Sequence, residues 1–204
     1  MTTLRASREQ ELVAATRALF DERGMQEAPV EEIARTVGIA RGLIYRQFSS
    51  KEELFVLTVT DYLGELAPLL EAACGEPGGR DERVERCVEA FAAYCQRYPA
   101  FLDCQIALMR RPARELRELV SESVWLRLGQ GMAACLDPVA RVAGSDYLAN
   151  FLWTQLVGAL HLARIGVGVR RAGPAVPELF RVDADQVTRT CVTAALATVR
   201  AARP

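Results

Sequence analysis

Apolar residues recur along almost the whole chain at spacings of three and four, the spacing of a helix buried on one face. Leu12, Ala15, Thr16, Leu19 and Phe20 share one such face. Val30, Ile33, Ala34 and Val37 repeat the pattern over a shorter length, and Ala40, Ile44 and Phe48 do so again. Strict period-two alternation, the mark of a half-buried strand, is absent. The spacing predicts an all-α fold. Half of the 204 residues are hydrophobic and a quarter are charged. Such a balance supports a sizeable core and excludes a disordered chain.

Breakers divide the pattern. Gly24 is expected to end a first helix, Ala28-Pro29 to open a second, and Gly38 to separate the second from a third. Ser49-Ser50 ahead of Lys51-Glu52-Glu53 are a capping signal for a fourth helix, reaching about Cys74. Gly75 to Gly79 read as a loop. Later helices are expected over about 81–97, 100–110, 113–135 (limited by Pro138) and 145–168, the last capped by Ser145. Arg170 to Pro177 read as a loop. Asp183, with Gln186 three residues on, starts a final helix to about Arg203.

Several function classes fall away. No apolar run approaches the roughly 18 to 20 residues of a membrane span. The opening MTTLRASREQ has no apolar block, so no signal peptide is expected and the protein is assigned to the cytoplasm. Six cysteines (Cys74, Cys87, Cys95, Cys104, Cys135 and Cys191) form no C-x-x-C pair, and His161 is the single histidine. Structural zinc is not expected, and reduced cysteines act as small apolar core residues. There is no G-x-S-x-G, no phosphate-binding glycine loop, no metal-ligand spacing and no acid within a turn of His161. Neither an enzyme nor a cofactor is expected.

Function concentrates in residues 30–48. VEEIARTV, then GIA, then RGLIYRQF make a helix, a glycine turn and a second helix, the layout of a helix-turn-helix. Ile33, Val37, Ile39 and Ile44 pack the two helices together. Arg41, Gly42, Leu43, Tyr45 and Arg46 are left free to enter a major groove. The formal charge of the whole chain is −1, yet Arg35, Arg41, Arg46 and Lys51 put +4 between Ile33 and Lys51, with no acid. Phosphate binding needs such a local concentration. An ordinary helical hairpin with a solvated basic face is the competing reading.

About residues 8–63 resemble the N-terminal domain of TetR-type (tetracycline-repressor-like) transcriptional regulators. The resemblance rests on Ala18-Leu19-Phe20, Gly24, Ile33-Ala34, Gly38, Gly42, Ile44-Tyr45, Phe48 and Lys51-Glu52-Glu53-Leu54. It implies that Tyr45, Arg46 and Lys51 contact phosphates and that Arg41 and Gly42 approach base edges. Three positions depart from the family. Ala28-Pro29 stands where a threonine or serine often caps the second helix. Ala40 replaces a capping serine. Leu43 replaces a threonine, exchanging a phosphate donor for a side chain suited to a thymine methyl.

The resemblance also implies two domains: residues 1–50 bind DNA, and 51–204 bind an effector and dimerise, with helix 51–74 linking them. Phe91, Tyr94, Cys95, Trp125, Met132, Trp153 and His161 are the candidate effector-binding residues, suited to a mainly hydrophobic ligand. Filling the core without a pocket is the plainer role for each. Gly158, Ala159 and Ala163, with Ala194, Ala195 and Ala197, allow the last two helices to approach those of a second copy. The expected whole is a homodimeric repressor, released from a palindromic duplex operator by a small molecule. The alternative is a DNA-binding protein of the same fold that acts through a protein partner.

Overall fold

The structure, a computed structural model, describes residues 2–24, 30–171 and 177–202. Among them are ten helices: α1 Thr2–Arg23, α2 Val30–Val37, α3 Arg41–Gln47, α4 Lys51–Gly75, α5 Arg80–Arg97, α6 Pro99–Arg110, α7 Ala113–Leu119, α8 Glu122–Ala143, α9 Asp146–Ile165 and α10 Ala184–Ala201. A two-stranded antiparallel hairpin, β1 Val167–Arg171 and β2 Pro177–Arg181, lies between α9 and α10. The chain packs as two compact units, Met1–Ala67 with Tyr98–Ala134, and Pro68–Arg97 with Cys135–Pro204.

In the first unit the glycines act as expected. Gly24 takes φ +86° and donates to the Phe20 carbonyl at 2.8 Å. Gly38 takes φ +71°; it donates to Arg35 O at 3.1 Å, and Ile39 donates to Ala34 O at 2.9 Å. These are the paired bonds of a left-handed helix end, which satisfy the last carbonyls of α2. The helices close over Leu12, Phe20, Ile33, Ile44, Leu57 and Tyr62, all at most 5% exposed. Arg17 of α1 reaches α4: it pairs with Asp61 at 2.7 Å and with Glu65. Its guanidinium also lies 4.3 Å from the Tyr62 ring centre and 4.9 Å from that of Tyr98.

The start of α4 is built around Glu53. Ser50 Oγ accepts from Glu53 N at 3.0 Å, and the Glu53 carboxylate accepts from Ser49 N at 2.5 Å. The same carboxylate accepts from Ser121 N at 3.2 Å and from the Ser121 hydroxyl. Ser50 Oγ donates to Leu119 O at 2.6 Å. These bonds correct one expectation: 113–135 is not one helix. Glu53 engages the Ser121 amide, Val120 is extended (φ −126°, ψ 155°), and α7 and α8 are separate. Pro138 does not limit α8, which continues to Ala143. A proline removes one backbone hydrogen bond, and a packed helix tolerates that loss. Pro138 is buried.

In the second unit Ser145 Oγ accepts from Leu148 N at 3.2 Å to cap α9. Gly166, in the left-handed region, ends it. Asp183 caps α10 by accepting from Gln186 N at 2.8 Å. The expected loop at 170–177 is in part a hairpin, with Val169 opposite Leu179. At Gly168 a Cβ would stand 2.4 Å from the Phe180 ring, so a side chain there would have to displace that ring. Ala28-Pro29, Gly173, Pro174 and the end at Arg203 lie outside the described residues. All six cysteines are buried and free. Burial pushes the thiols of Cys95, Cys104 and Cys135 up, that of Cys135 to about 12.

Glu53 links this packing to pH. Its burial favours the neutral acid, but hydrogen bonds from Ser121 and Ser49 outweigh that and hold its pKa below the ordinary 4.5. A depressed carboxylate stabilises the fold above its unfolded pKa, and the gain disappears as pH falls through the folded value. Glu53→Gln is expected to cost about 1–3 kcal/mol near neutral pH. Thermal unfolding across a pH series should show the gap between the two proteins closing below about pH 4.

Candidate nucleic-acid interface

Two buried side chains seat α3. Ile44 and Phe48 are 1% and 2% exposed, so the rest of this short helix faces outward. Arg41, Gly42, Leu43, Tyr45 and Arg46 are all exposed. Ala40 precedes the helix without a side-chain cap, as its apolar methyl requires. Nothing lies within 4 Å of a Cβ built on Gly42, so the backbone there is open to a close partner.

The cations divide into two pairs. Arg41 is engaged: Nη1 lies 2.6 Å from Glu31, Nη2 donates to Tyr45 Oη at 3.5 Å, and its guanidinium is 5.5 Å from the Tyr45 ring centre. The phenol contact and the Glu31 carboxylate both strengthen its hold on its proton. Arg35 has Glu32 at 3.9 Å. Arg46 and Lys51 make no hydrogen bond or ion pair with any described residue. The acid-free stretch from Ile33 to Lys51 thus borrows Glu31 and Glu32 from the first turn of α2. The Arg41–Glu31 part of that balance forms only when α2 and α3 fold against each other.

Of the candidate effector residues, two line one cavity. Phe91 and Trp153 line a cavity of about 20 Å³ in the second unit, their ring centres 4.8 Å apart. Tyr94 and Cys95 are buried on the same helix but do not line it. Trp125 and Met132 belong to the first unit. His161 lies outside the cavity, with Nδ1 buried and without a hydrogen-bond partner. Val84, Cys87, Val139 and Leu152 line it instead. They carry the same helical spacing as any core residue, so nothing in the sequence distinguishes them.

A glycine-turned helix pair whose second helix is bare outside and flanked by unpaired cations is a DNA-binding module. Residues 12–57 match the family described as bacterial regulatory proteins, tetR family. The transcriptional activator FasR of Mycolicibacterium smegmatis is 30% identical over 87 residues, 43% of this chain and 40% of its own length. The transcriptional regulator HbdR of Aromatoleum sp. is 30% identical over 114 residues, 54% of this chain and 46% of its own. These alignments span less than half of either relative. The fold is that of the TetR family regulator PfmR from Thermus thermophilus, with TM-score 0.57, 20% identity and coverage of 91% of this chain and 97% of that one. Residues 12–57 thus carry the DNA-binding domain of the tetR family of bacterial regulatory proteins, and the fold of the chain is the one such regulators share.

The two pairs of cations predict different mutant behaviour. Lys51→Ala should weaken binding to all duplexes alike and lower the salt slope by about one unit per half-site. Arg41→Ala should cost about tenfold or more on the preferred site and far less on random DNA, as loss of a base contact does. Fluorescence anisotropy at several salt concentrations, on both kinds of duplex, measures each effect.

Proposed function

We propose that this chain is a homodimeric, cytoplasmic repressor that grips a palindromic operator and is released by a small, largely hydrophobic effector. The observation that carries the DNA reading is the outer face of α3, with Tyr45 exposed and Arg46 and Lys51 unpaired. Phosphates take the free cations, while Arg41 and Leu43 address base edges, leucine by contact with a thymine methyl. Among the described residues no helix is long and apolar enough to cross a membrane.

The dimer reading rests on α9. Tyr147, Phe151, Thr154, Gly158, Leu162 and Ile165 recur at steps of three and four, and all are exposed. The residues between them, including Leu152, Val157 and Leu160, are buried in the chain's own core. One helix therefore has two apolar faces, and only one is covered within the chain. The outer stripe is about 27 Å long. Beside it, α9 and α10 border an apolar groove of about 370 Å³, roofed by Phe180. A second copy of the same surface suits both, since a two-fold interface uses one patch twice. Two α3 helices about 34–36 Å apart would then meet successive major grooves. Ala195, at 1% exposure, packs within the chain and is unavailable for this contact.

The effector reading draws on the cavity at Phe91 and Trp153, whose lining is apolar throughout. At about 20 Å³ it has room for about one water, so an effector has to part α5 and α9 to enter. A ligand that favours the parted state shifts the population away from the DNA-bound one.

Selection from a random duplex pool should enrich an inverted repeat. Leu162→Glu should convert the dimer to a monomer in sedimentation and abolish binding to the full palindrome, while its helix content stays unchanged. Enrichment of no sequence at low salt, or a Leu162→Glu dimer, would overturn the respective half of this reading.

A further inference from the structure

A second cavity lies in the first unit, where α1, α2, α4, α6 and α7 surround about 280 Å³. Phe20, Ile33, Leu54, Phe55, Leu108 and Leu116 form apolar walls. Lys51, Glu52 and Arg111 also line it, and Lys51 and Arg111 are exposed, which puts them at its rim.

The rim charge does not cancel. Arg111 faces Glu52 at 3.6 Å, so those two charges offset. Lys51 remains without a partner among the described residues. It also stands at the first turn of α4, the positive end of a 25-residue helix. One excess cation beside an apolar chamber matches an anion with a single charged head and an alkyl body. A second carboxylate would have to lie against the hydrocarbon walls, at a heavy desolvation cost. At about 30 Å³ for each water-sized group, the volume takes a chain of about eight or nine carbons.

We propose that this cavity binds a medium-chain monocarboxylate, whose head group takes Lys51 away from the DNA backbone. The ligand then competes with phosphate for the same ammonium. The site is separate from the cavity around Phe91 and Trp153. Its effect on DNA rests on the function proposed above; its occupancy by a carboxylate does not.

Calorimetric titration of the full chain with sodium octanoate should saturate at one molecule per chain. The uncharged 1-octanol should bind at least about tenfold more weakly. Ala107→Phe puts a ring into this cavity and should abolish octanoate binding while leaving DNA affinity unchanged. Val139→Phe, which fills the other cavity, should leave octanoate binding intact. If Ala107→Phe fails to fold, Arg111→Gln should still weaken octanoate and not octanol. With a duplex operator, octanoate should lower affinity about tenfold and reduce the salt slope by about one unit per half-site. Lys51→Ala should show no such response. Octanoate binding that survives in Ala107→Phe, or is lost only in Val139→Phe, overturns the site. Binding that leaves DNA affinity and salt slope untouched overturns the competition. A chain that binds octanoate but no DNA contradicts the DNA-binding function and leaves the carboxylate site standing.

Discussion

A single guanidinium fixes the course of α4 through the first unit. Arg17 is only 16% exposed at its side chain, and it meets Asp61 and Glu65 as well as the faces of Tyr62 and Tyr98. Tyr62 Oη donates to Asp21 on α1 at 2.7 Å, and Tyr98 Oη donates to Glu65 at 2.9 Å. Removing Arg17 would leave Asp61 and Glu65 facing each other without their shared cation, a larger loss than that of one exposed ion pair. The network therefore specifies position as well as stability. With α4 held against α1 at Asp61, Tyr62 and Glu65, its first turn is delivered beside α3, and Lys51 comes to the side proposed to face DNA.

That first turn then serves several purposes with few atoms. Glu53 closes the corner between α3 and α4 and, through Ser121, the corner between α7 and α8. Breaking the 113–135 segment in two leaves α7 as a short helix that places Leu116 in the wall of the 280 Å³ cavity. The same carboxylate thus shapes the corner between α3 and α4 and the wall of that chamber. A net charge of −1 is no obstacle to binding a polyanion. What matters is which cations the fold leaves unpaired beside α3, and among the described residues Arg46 and Lys51 are two of these.

Legibility in the sequence follows the range of the interaction involved. The helix-turn-helix was readable because Gly38, Ile44 and Phe48 act within a few residues of each other, and local spacing encodes them. Ser145 and Asp183 were readable as caps for the same reason. The hairpin was not. Its strands are five residues each, exposed on both faces, so burial imposed no alternation on them. Nor was the neutralisation of Arg41 by Glu31, which spans a turn, or the split at Val120, which depends on Glu53 some seventy residues away. Which of the candidate effector residues border the cavity was not legible for a different reason. Aromatic residues and methionine at helical spacing mark burial, and burial is common to every core helix. Which buried residues border a void depends on the packing of several helices at once.

The chain's two compact units share two helices, and each of these carries a proline near the division. Ala67 ends one stretch of the first unit, and Pro68 follows it within α4. Ala134 ends the other, and Pro138 lies four residues further along α8. A proline has no amide hydrogen for the carbonyl four residues before it. Gly64 and Ala134 therefore each lose a helical hydrogen bond, one in α4 and one in α8. Bending a helix is cheapest where that bond is already missing. Each shared helix thus lacks one backbone hydrogen bond, while the Arg17 network holds α4 just before its proline and Glu53 anchors its start.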